Sequence, residues 1–192
     1  MKKAWKDAKE KLNIKSPLIH CITSPIAIND CANVVLALGA KPIMAEHPEE
    51  VEGVTKSACA LGVSLANITD ARADSMMISG KAALHTGLPS VLDAVGVTCS
   101  QFRKKLAEQY IRECRPSVIK GNVSEIKALA GIDFSASGID VGENDRVSRE
   151  NRAALEYMTS VVKKLAENTG SVVMATGETD IISDGKKTYY VE

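Results

Sequence analysis

The segment Pro116-Ser-Val-Ile-Lys-Gly-Asn-Val-Ser-Glu125 carries the pattern on which the fold prediction depends. Its first half is a short apolar run, typical of a buried strand over 116–120. A helix is predicted to follow almost at once, over 123–130. A strand that passes directly into a helix is the repeating unit of parallel α/β sheets.

The same alternation continues in both directions along the chain. Further strands are predicted over 17–22, 41–45, 62–65, 89–93 and 171–175, and further helices over 26–38, 48–60, 69–86, 101–114 and 148–168. Gly39 and Gly87 are expected to end helices, and Asp70 to cap one. The final stretch, 180–191, predicts a β-hairpin around Asp184-Gly185. The pattern predicts an α/β fold in which helices flank a mostly parallel central sheet, built as a single domain over 1–192.

Composition narrows the class of protein. The 24 basic and 24 acidic residues give no net charge, which argues against a nucleic-acid partner. No apolar run approaches the roughly 20 residues of a membrane span. Residues 1–12 are expected to form a charged amphipathic helix rather than a signal sequence. The five cysteines are widely spaced and contain no CxxC pair, so we expect a reduced, cytoplasmic protein without disulfides or structural zinc.

Candidate ligand-binding residues stand directly after the predicted strands, where open α/β sheets bind ligands. Lys120 ends a strand and could pair with phosphate, while Gly121 allows close approach of the backbone. Glu125 falls in the first helical turn, where an acid also favours the helix dipole. Asn122 or Ser124 could be an ordinary helix cap, so a capping role and a phosphate or metal role both remain open.

Asp93 ends another apolar strand, where an unpaired carboxylate is costly. Asp93 and Glu125 could together provide oxygen ligands for Mg²⁺, although a turn-forming role for Asp93 is as plausible. Thr176 offers a hydroxyl at a third strand end.

By type alone, Met44 and His20 are expected to be core residues and Cys99 a passive thiol. The chain lacks a GxxxxGK[ST] loop.

The strand-end segments together resemble those of hydroxyethylthiazole kinases, thiamine-salvage enzymes of the ribokinase-like superfamily. The matching segments are Pro17-Leu-Ile-His-Cys-Ile-Thr23, Asn29-Asp-Cys-Ala-Asn33, Leu36-Ala-Leu-Gly-Ala40, Pro42-Ile-Met-Ala-Glu-His-Pro48, Asn67-Ile-Thr-Asp-Ala-Arg72, Val95-Gly96, Gly121-Asn-Val-Ser-Glu125 and Ala175-Thr-Gly-Glu178. Their order and combination are highly specific, and they run from about residue 16 to the end.

The resemblance implies a ribokinase-like fold and the phosphorylation of 4-methyl-5-(2-hydroxyethyl)thiazole by ATP with Mg²⁺, in thiamine biosynthesis or salvage. It implies that Met44 contacts the thiazole, and that Thr176, Lys120 and Ser24 contact ATP. Asp93 and Glu125 match acidic residues near the phosphates and magnesium. It also implies a cytoplasmic homotrimer, if the fold is complete, with the thiazole pocket between subunits.

The chain departs from the family pattern at several strand ends. Ser24 replaces an Asn, Ser64-Leu-Ala66 stands in place of Asn-Leu-Gly, Ala94 replaces a Pro, and Lys120 replaces an Arg. The Gly-Thr-Gly-Cys segment, which in the family opens a helix at the phosphoryl-transfer site, occurs nowhere in the chain.

Three functional alternatives follow. The first is a hydroxyethylthiazole kinase that is C-terminally truncated and impaired, whose catalytic residue is unknown because the family Cys is absent. The second is a non-catalytic relative that binds thiazole or nucleotide. The third is another ribokinase-like vitamin kinase, such as a hydroxymethylpyrimidine kinase, against which the Cys-Ile-Thr and Pro-Ile-Met-Ala-Glu-His-Pro segments count.

Overall fold

A computed structural model describes residues 6–7, 10, 15–132, 147–148 and 151–192. Strands and helices alternate along it, and the element bounds in chain order are as follows. They are β1 Leu18–Ile22, α1 Ile28–Ala37, β2 Lys41–Ile43, α2 Val51–Ser57, β3 Ala60–Ser64, α3 Asp70–Thr86, β4 Ser90–Asp93, α4 Gln101–Cys114, β5 Val118–Asn122, α5 Val123–Leu129, α6 Arg152–Thr169, β6 Val172–Thr176, β7 Asp180–Ser183 and β8 Thr188–Val191.

The chain forms two compact units. The first comprises residues up to Val63 together with 67–90, and its strands run in the order β2-β1-β3. All three are parallel, with Leu18 opposite Lys41 and Cys21 opposite Gly62. Its most deeply buried side chains include Ile22, Leu61, Val51 and Met76.

The second unit comprises residues 64–66 and 91–192, with strand order β4-β5-β6-β7-β8. The first three of these strands are parallel, and β7 and β8 form an antiparallel hairpin. Gly185 turns this hairpin with φ +87°, a conformation that glycine adopts without strain. The expected hairpin is therefore confirmed.

A continuous aliphatic cluster forms the core of the second unit. Alternate residues of β5, β6 and β7 face inward and pack against α5 and α6, as the period of a strand requires. The buried members include Ile119, Val173, Ile181, Ile126 and Met158. The opposite face of these strands is only partly buried, and Lys120 and Thr176 lie on it.

The predicted elements that fall within the described residues are present, but several of their bounds differ. Residue 60, expected to end a helix, instead begins β3, because α2 ends at Ser57 and the Cys59 amide bonds the Leu18 carbonyl at 2.7 Å. Met44 lies beyond β2 rather than within a strand. Thr69, not Asp70, caps α3, and its hydroxyl accepts the Arg72 amide.

Gly87 ends α3 in the left-handed conformation, as expected. Gly39 has φ +89° and follows the C-cap of α1. Most of the expected N-terminal helix and most of the loop at 131–147 fall outside the described residues. Within the described part of the chain, every helix is too short or too polar to cross a membrane.

Candidate active site

Four of the described helices begin with a side-chain N-cap, and three of these closely follow a strand. Each of the three follows a strand directly or after a short loop and begins with an N-cap side chain that accepts the amide hydrogen of the third helical residue. The pairs are Thr69 with Arg72 at 3.3 Å, Ser100 with Arg103 at 3.2 Å, and Asn122 with Glu125 at 2.8 Å. Such caps satisfy a backbone donor that the helix itself leaves free. They also orient three charged side chains back toward the loops that follow the strands.

Glu125 is the acidic residue among these three charged side chains. Only 4% of the residue is exposed, and each carboxylate oxygen accepts one backbone amide hydrogen. Oε1 accepts from Gly96 and Oε2 from Asn122, both at 2.7 Å. The bond to Asn122 completes a capping box, whereas the bond to Gly96 holds the loop after β4. The capping role left open by the sequence is therefore present, and the carboxylate joins two strand ends.

Two glycines make this arrangement possible. Gly96 has φ +73°, and a Cβ there would lie 3.3 Å from Nη1 of Arg103. A Cβ on Gly121 would lie 3.0 Å from the Glu125 Cβ and 3.2 Å from Oε2. Larger residues at either position would displace the charged side chains that approach them.

Asp93 ends β4, as predicted, whereas Lys120 lies in the middle of β5 rather than at its end, because the strand continues to Asn122. The two residues lie side by side on these neighbouring parallel strands of the second unit. They are register partners, and Lys120 Nζ lies 3.2 Å from Asp93 Oδ1. The other oxygen, Oδ2, accepts a long hydrogen bond of 3.4 Å from Ser64. The Lys120 and Asp93 side chains are 40% and 31% exposed, so both can still reach a ligand.

Thr176 is the last residue of β6, opposite Asn122 in the sheet register. Its hydroxyl donates to the Gly121 carbonyl at 3.3 Å. The second unit thus brings together four of the residues predicted from sequence: Asp93, Lys120, Glu125 and Thr176. Their oxygen and ammonium groups suit a ligand that carries phosphate and a hard cation.

Arg103 is a contributor that sequence reasoning missed. Its guanidinium Nη1 donates to the Leu65 carbonyl and Nη2 to the Ala66 carbonyl at 3.3 Å. It therefore fixes the loop after β3, beside Ser64. A signal was present in the sequence: a cation in the first turn of a helix opposes the helix dipole, so a specific partner is expected.

The remaining predicted residues belong to the first unit. Ser24 follows β1 and is buried, and its carbonyl accepts the Ala27 amide at 3.0 Å. Met44 is half-buried in the irregular stretch after β2. His20 is fully buried, as expected of a core histidine, and both of its ring nitrogens are hydrogen-bonded. Burial lowers the pKa of His20, and the Ala45 carbonyl and the charge of Glu50 oppose that shift only in part.

The five cysteines range from buried to exposed. All five are free. Burial, with the neighbouring Cys31, raises the pKa of the Cys21 thiol to about 11, which keeps it protonated at neutral pH. No group of three or more His, Cys, Asp or Glu side chains suited to a metal ion occurs among the described residues.

Comparison with known proteins identifies the family. A family model described as the hydroxyethylthiazole kinase family matches residues 10–192. Hydroxyethylthiazole kinase 2 of Clostridium botulinum strain Hall is 53% identical over 183 residues, which are 95% of this chain and 68% of that protein. The chain belongs to the hydroxyethylthiazole kinase family.

Other relatives agree with this assignment. The hydroxyethylthiazole kinase of Clostridium beijerinckii is 39% identical over 178 residues, covering 93% of this chain and 63% of that protein. Among solved structures, hydroxyethylthiazole kinase from Pyrococcus horikoshii OT3 has a TM-score of 0.83 at 29% identity, covering 98% of this chain and 66% of the other. The chain thus spans about two thirds of the length of these hydroxyethylthiazole kinases.

The fold prediction is confirmed by the same comparison. An adenosine kinase from Schistosoma mansoni matches at a TM-score of 0.54 and 12% identity, a likeness that concerns the fold alone. The ribokinase-like α/β fold with a mostly parallel sheet is therefore present in this hydroxyethylthiazole kinase family member.

Proposed function

We propose that this chain supports the ATP-dependent phosphorylation of the hydroxyl group of 4-methyl-5-(2-hydroxyethyl)thiazole. The observation that carries the proposal is the 53% identity with a hydroxyethylthiazole kinase over 95% of the chain, a span that includes both units. Phosphoryl transfer depends mainly on positioning and on charge stabilisation, so the strand-end residues are the ones to test.

The proposed nucleotide contacts are Lys120, Thr176 and Ser24. Lys120 would release its partly exposed partner Asp93 and turn its ammonium toward a phosphate. This is a small rearrangement, because ion pairs that water reaches contribute little stability. Thr176 would offer its hydroxyl from the end of β6. Ser24, which is buried after β1 in the first unit, is proposed as a nucleotide contact from the family resemblance alone.

The proposed cation is Mg²⁺, with Asp93 and Glu125 as the protein oxygens nearest to it. The donor set fits, because Mg²⁺ prefers a few carboxylate oxygens and completes its shell with water and phosphates. Asp93 is the more accessible ligand, since both oxygens of Glu125 already accept amide hydrogens. When bound, the cation neutralises charge on the phosphates.

Met44 is the proposed contact of the thiazole ring. A methionine thioether is polarisable and packs well against a flat heteroaromatic ring. It lies half-buried directly after β2, where a ligand can reach it.

Two measurements on the same protein test the proposal. Calorimetric titration gives the dissociation constants for thiazole alcohol and for Mg-ATP, and a coupled assay of ADP release gives turnover. Lys120→Met is expected to weaken Mg-ATP binding at least tenfold. Lys105→Met, which removes the same charge from the exposed surface of α4, should change it less than twofold. A chain that binds neither ligand would refute the proposal.

A non-catalytic binding protein is the second candidate. It is favoured by Ser64, one of the departures from the family pattern, whose hydroxyl bonds the proposed metal ligand Asp93. Thiazole binding without Mg-ATP binding or ADP release would support this candidate. A turnover number near that of a relative would contradict it, together with the expectation of impaired activity. Preference for a hydroxymethylpyrimidine over the thiazole alcohol would support the third alternative.

The proposed assembly is a cytoplasmic homotrimer of a single ribokinase-like domain. It is supported by apolar side chains at the start of and along α1, a helix with no buried residue. Ile26, Val34 and Leu36 are 94%, 59% and 55% exposed. Such exposure is typical of a surface that another protein covers. Sedimentation measures the mass of the assembly and tests this. The wild type should sediment as a trimer, and Leu36→Lys should shift toward the monomer.

A further inference from the structure

The stretch Met44-Ala-Glu-His47, here called the 44–47 loop, has no regular secondary structure, yet buried polar side chains hold its backbone. From β1, His20 Nε2 donates to the Ala45 carbonyl at 2.8 Å. From α3, Ser75 Oγ donates to the Glu46 carbonyl at 2.8 Å. Both side chains are 0% exposed, and all of these residues lie in the first unit.

A third side chain binds the loop through its acidic residue. The Arg72 Nε lies 2.9 Å from the Glu46 carboxylate, which Nη2 also contacts, and Nη1 approaches the Asn67 carbonyl at 3.5 Å. Arg72 is buried whereas Glu46 is half exposed. Because a buried guanidinium without a partner is costly, this pair resists movement of Glu46 away from α3.

The proton on His20 can be assigned from its partners. A carbonyl oxygen only accepts hydrogen bonds, so Nε2 must carry the proton that faces Ala45. Nδ1 then accepts from the hydroxyl of Thr55, 2.8 Å away. The imidazole bridges β1, the 44–47 loop and α2 in its neutral form, which is the form that burial favours.

The three polar side chains therefore converge on one short loop. Burying polar groups stabilises a fold less than burying apolar groups of similar size, so a core needs a reason to contain them. Here each of them bonds the backbone or the acid of the 44–47 loop, and Met44 begins that loop. Holding a binding residue in one geometry raises affinity by reducing the entropy lost on binding.

We propose that His20, Ser75 and Arg72 are positioning residues that fix the 44–47 loop and thereby set the affinity for the acceptor alcohol that Met44 contacts. This inference rests on the proposed function. None of the three needs to touch the ligand, because they act through the loop backbone and Glu46.

Helix α3 offers a matched pair of variants for the test. Ser79 lies one turn beyond Ser75, is equally buried, and its hydroxyl bonds no group among the described residues. Ser75→Ala is expected to raise the dissociation constant for thiazole alcohol about fivefold to tenfold, the effect of one lost hydrogen bond. Ser79→Ala should change it less than twofold. Neither should change the dissociation constant for Mg-ATP.

Hydrogen–deuterium exchange of a peptide spanning 41–49 gives a readout that needs no ligand. Ser75→Ala should exchange at least fivefold faster over this peptide than the wild type, and Ser79→Ala should not. At His20, Gln can place an N–H near the position of Nε2, whereas Leu cannot. His20→Gln should therefore bind thiazole alcohol more tightly than His20→Leu.

Equal exchange rates and equal affinities in Ser75→Ala and Ser79→Ala would overturn the inference. So would parallel weakening of thiazole and Mg-ATP binding, because a general loss of structure would then explain both. A wild-type chain that binds no thiazole alcohol contradicts the proposed function and the affinity part of the inference. The exchange rates decide in that case whether the loop is tethered.

Discussion

Glu125→Gln separates a structural role of this carboxylate from a role in cation binding. In the native protein both oxygens accept backbone amide hydrogens at 2.7 Å within a residue that is 4% exposed. Glutamine keeps one acceptor oxygen but presents an NH₂ group to the second amide. Two N–H donors would then face each other in a buried position, where neither finds a partner.

The magnitude follows from these two bonds. A hydrogen bond to a charged group contributes about 1.5–3 kcal/mol, and a neutral one about 1 kcal/mol. Losing one charged bond and neutralising the other removes about 3 kcal/mol, from which the easier burial of a neutral side chain subtracts about 1 kcal/mol. The expected loss is about 2 kcal/mol in the free energy of unfolding, or a Tm decrease of about 4–8 °C for a chain of this length.

Urea unfolding without nucleotide or Mg²⁺ measures this loss directly. Glu125→Asp provides a second comparison, because it retains the charge but is one methylene too short to reach both amides, so it too should destabilise. Glu108→Gln makes the same substitution on the exposed surface of α4 and should stay within about 0.5 kcal/mol of the wild type. A Glu125→Gln protein as stable as Glu108→Gln would refute the structural role and leave a ligand-binding role as the reason for this residue.

Three further predictions concern the same loops and the buried histidine. Arg103→Met should lower the free energy of unfolding by about 2 kcal/mol in urea titrations, because the Leu65 and Ala66 carbonyls lose their hydrogen-bond donor. Lys105→Met removes the same charge, and an equal loss of stability in that variant would contradict a stabilising role of the Arg103 hydrogen bonds. Gly96→Ala should lower the free energy of unfolding by about 1–2 kcal/mol in the same titrations, because Gly96 has a positive φ and its Cβ would approach Arg103. Gly53→Ala, with open space around its Cβ, should be neutral or stabilising, and a Gly96→Ala protein as stable as Gly53→Ala would contradict this prediction. Burial lowers the pKa of His20, so below about pH 6.5 the unfolded chain binds a proton at this residue that the native protein does not bind. The free energy of unfolding should therefore decrease as the pH falls from about 6.5 to the native pKa, with a slope of at most about 1.4 kcal/mol per pH unit. An unchanged slope in His20→Gln would show that other groups cause the decrease.

Much of the fold could be predicted from local patterns. The hairpin around Asp184-Gly185 and the glycine end of α3 at Gly87 follow from preferences of a few neighbouring residues, which short-range sterics impose wherever the chain goes. The cap at Asn122 was one of two options because Asn and Ser both satisfy helix N-termini. Thr69 and Asp70 illustrate the limit of such reasoning, since either residue type can cap and the backbone conformation selects one.

Four residues of the candidate active site could be predicted from sequence, but the contacts between them could not. The sequence alone predicted Asp93, Lys120 and Thr176 at the ends of strands and Glu125 in the helical turn that follows one, and the strand-end segments indicated the family. The structure differs at Lys120, since β5 continues two residues beyond it. The sequence could not predict which partners each of these four residues contacts. Asp93 and Lys120 are 27 residues apart, and Gly96 and Glu125 are 29 apart, so their contacts depend on which strands lie side by side.

Sequence by itself therefore determined the order of strands and helices, the hairpin turn at Gly185, the glycine end of α3 at Gly87, and the family whose segments the chain carries. Tertiary structure alone decided that the third residues of three helices, Arg72, Arg103 and Glu125, reach back to hold strand-end loops. The physical reason is range. Backbone preferences act over four or five residues, whereas hydrogen bonds between loops exist only once the strands have paired and brought their ends together.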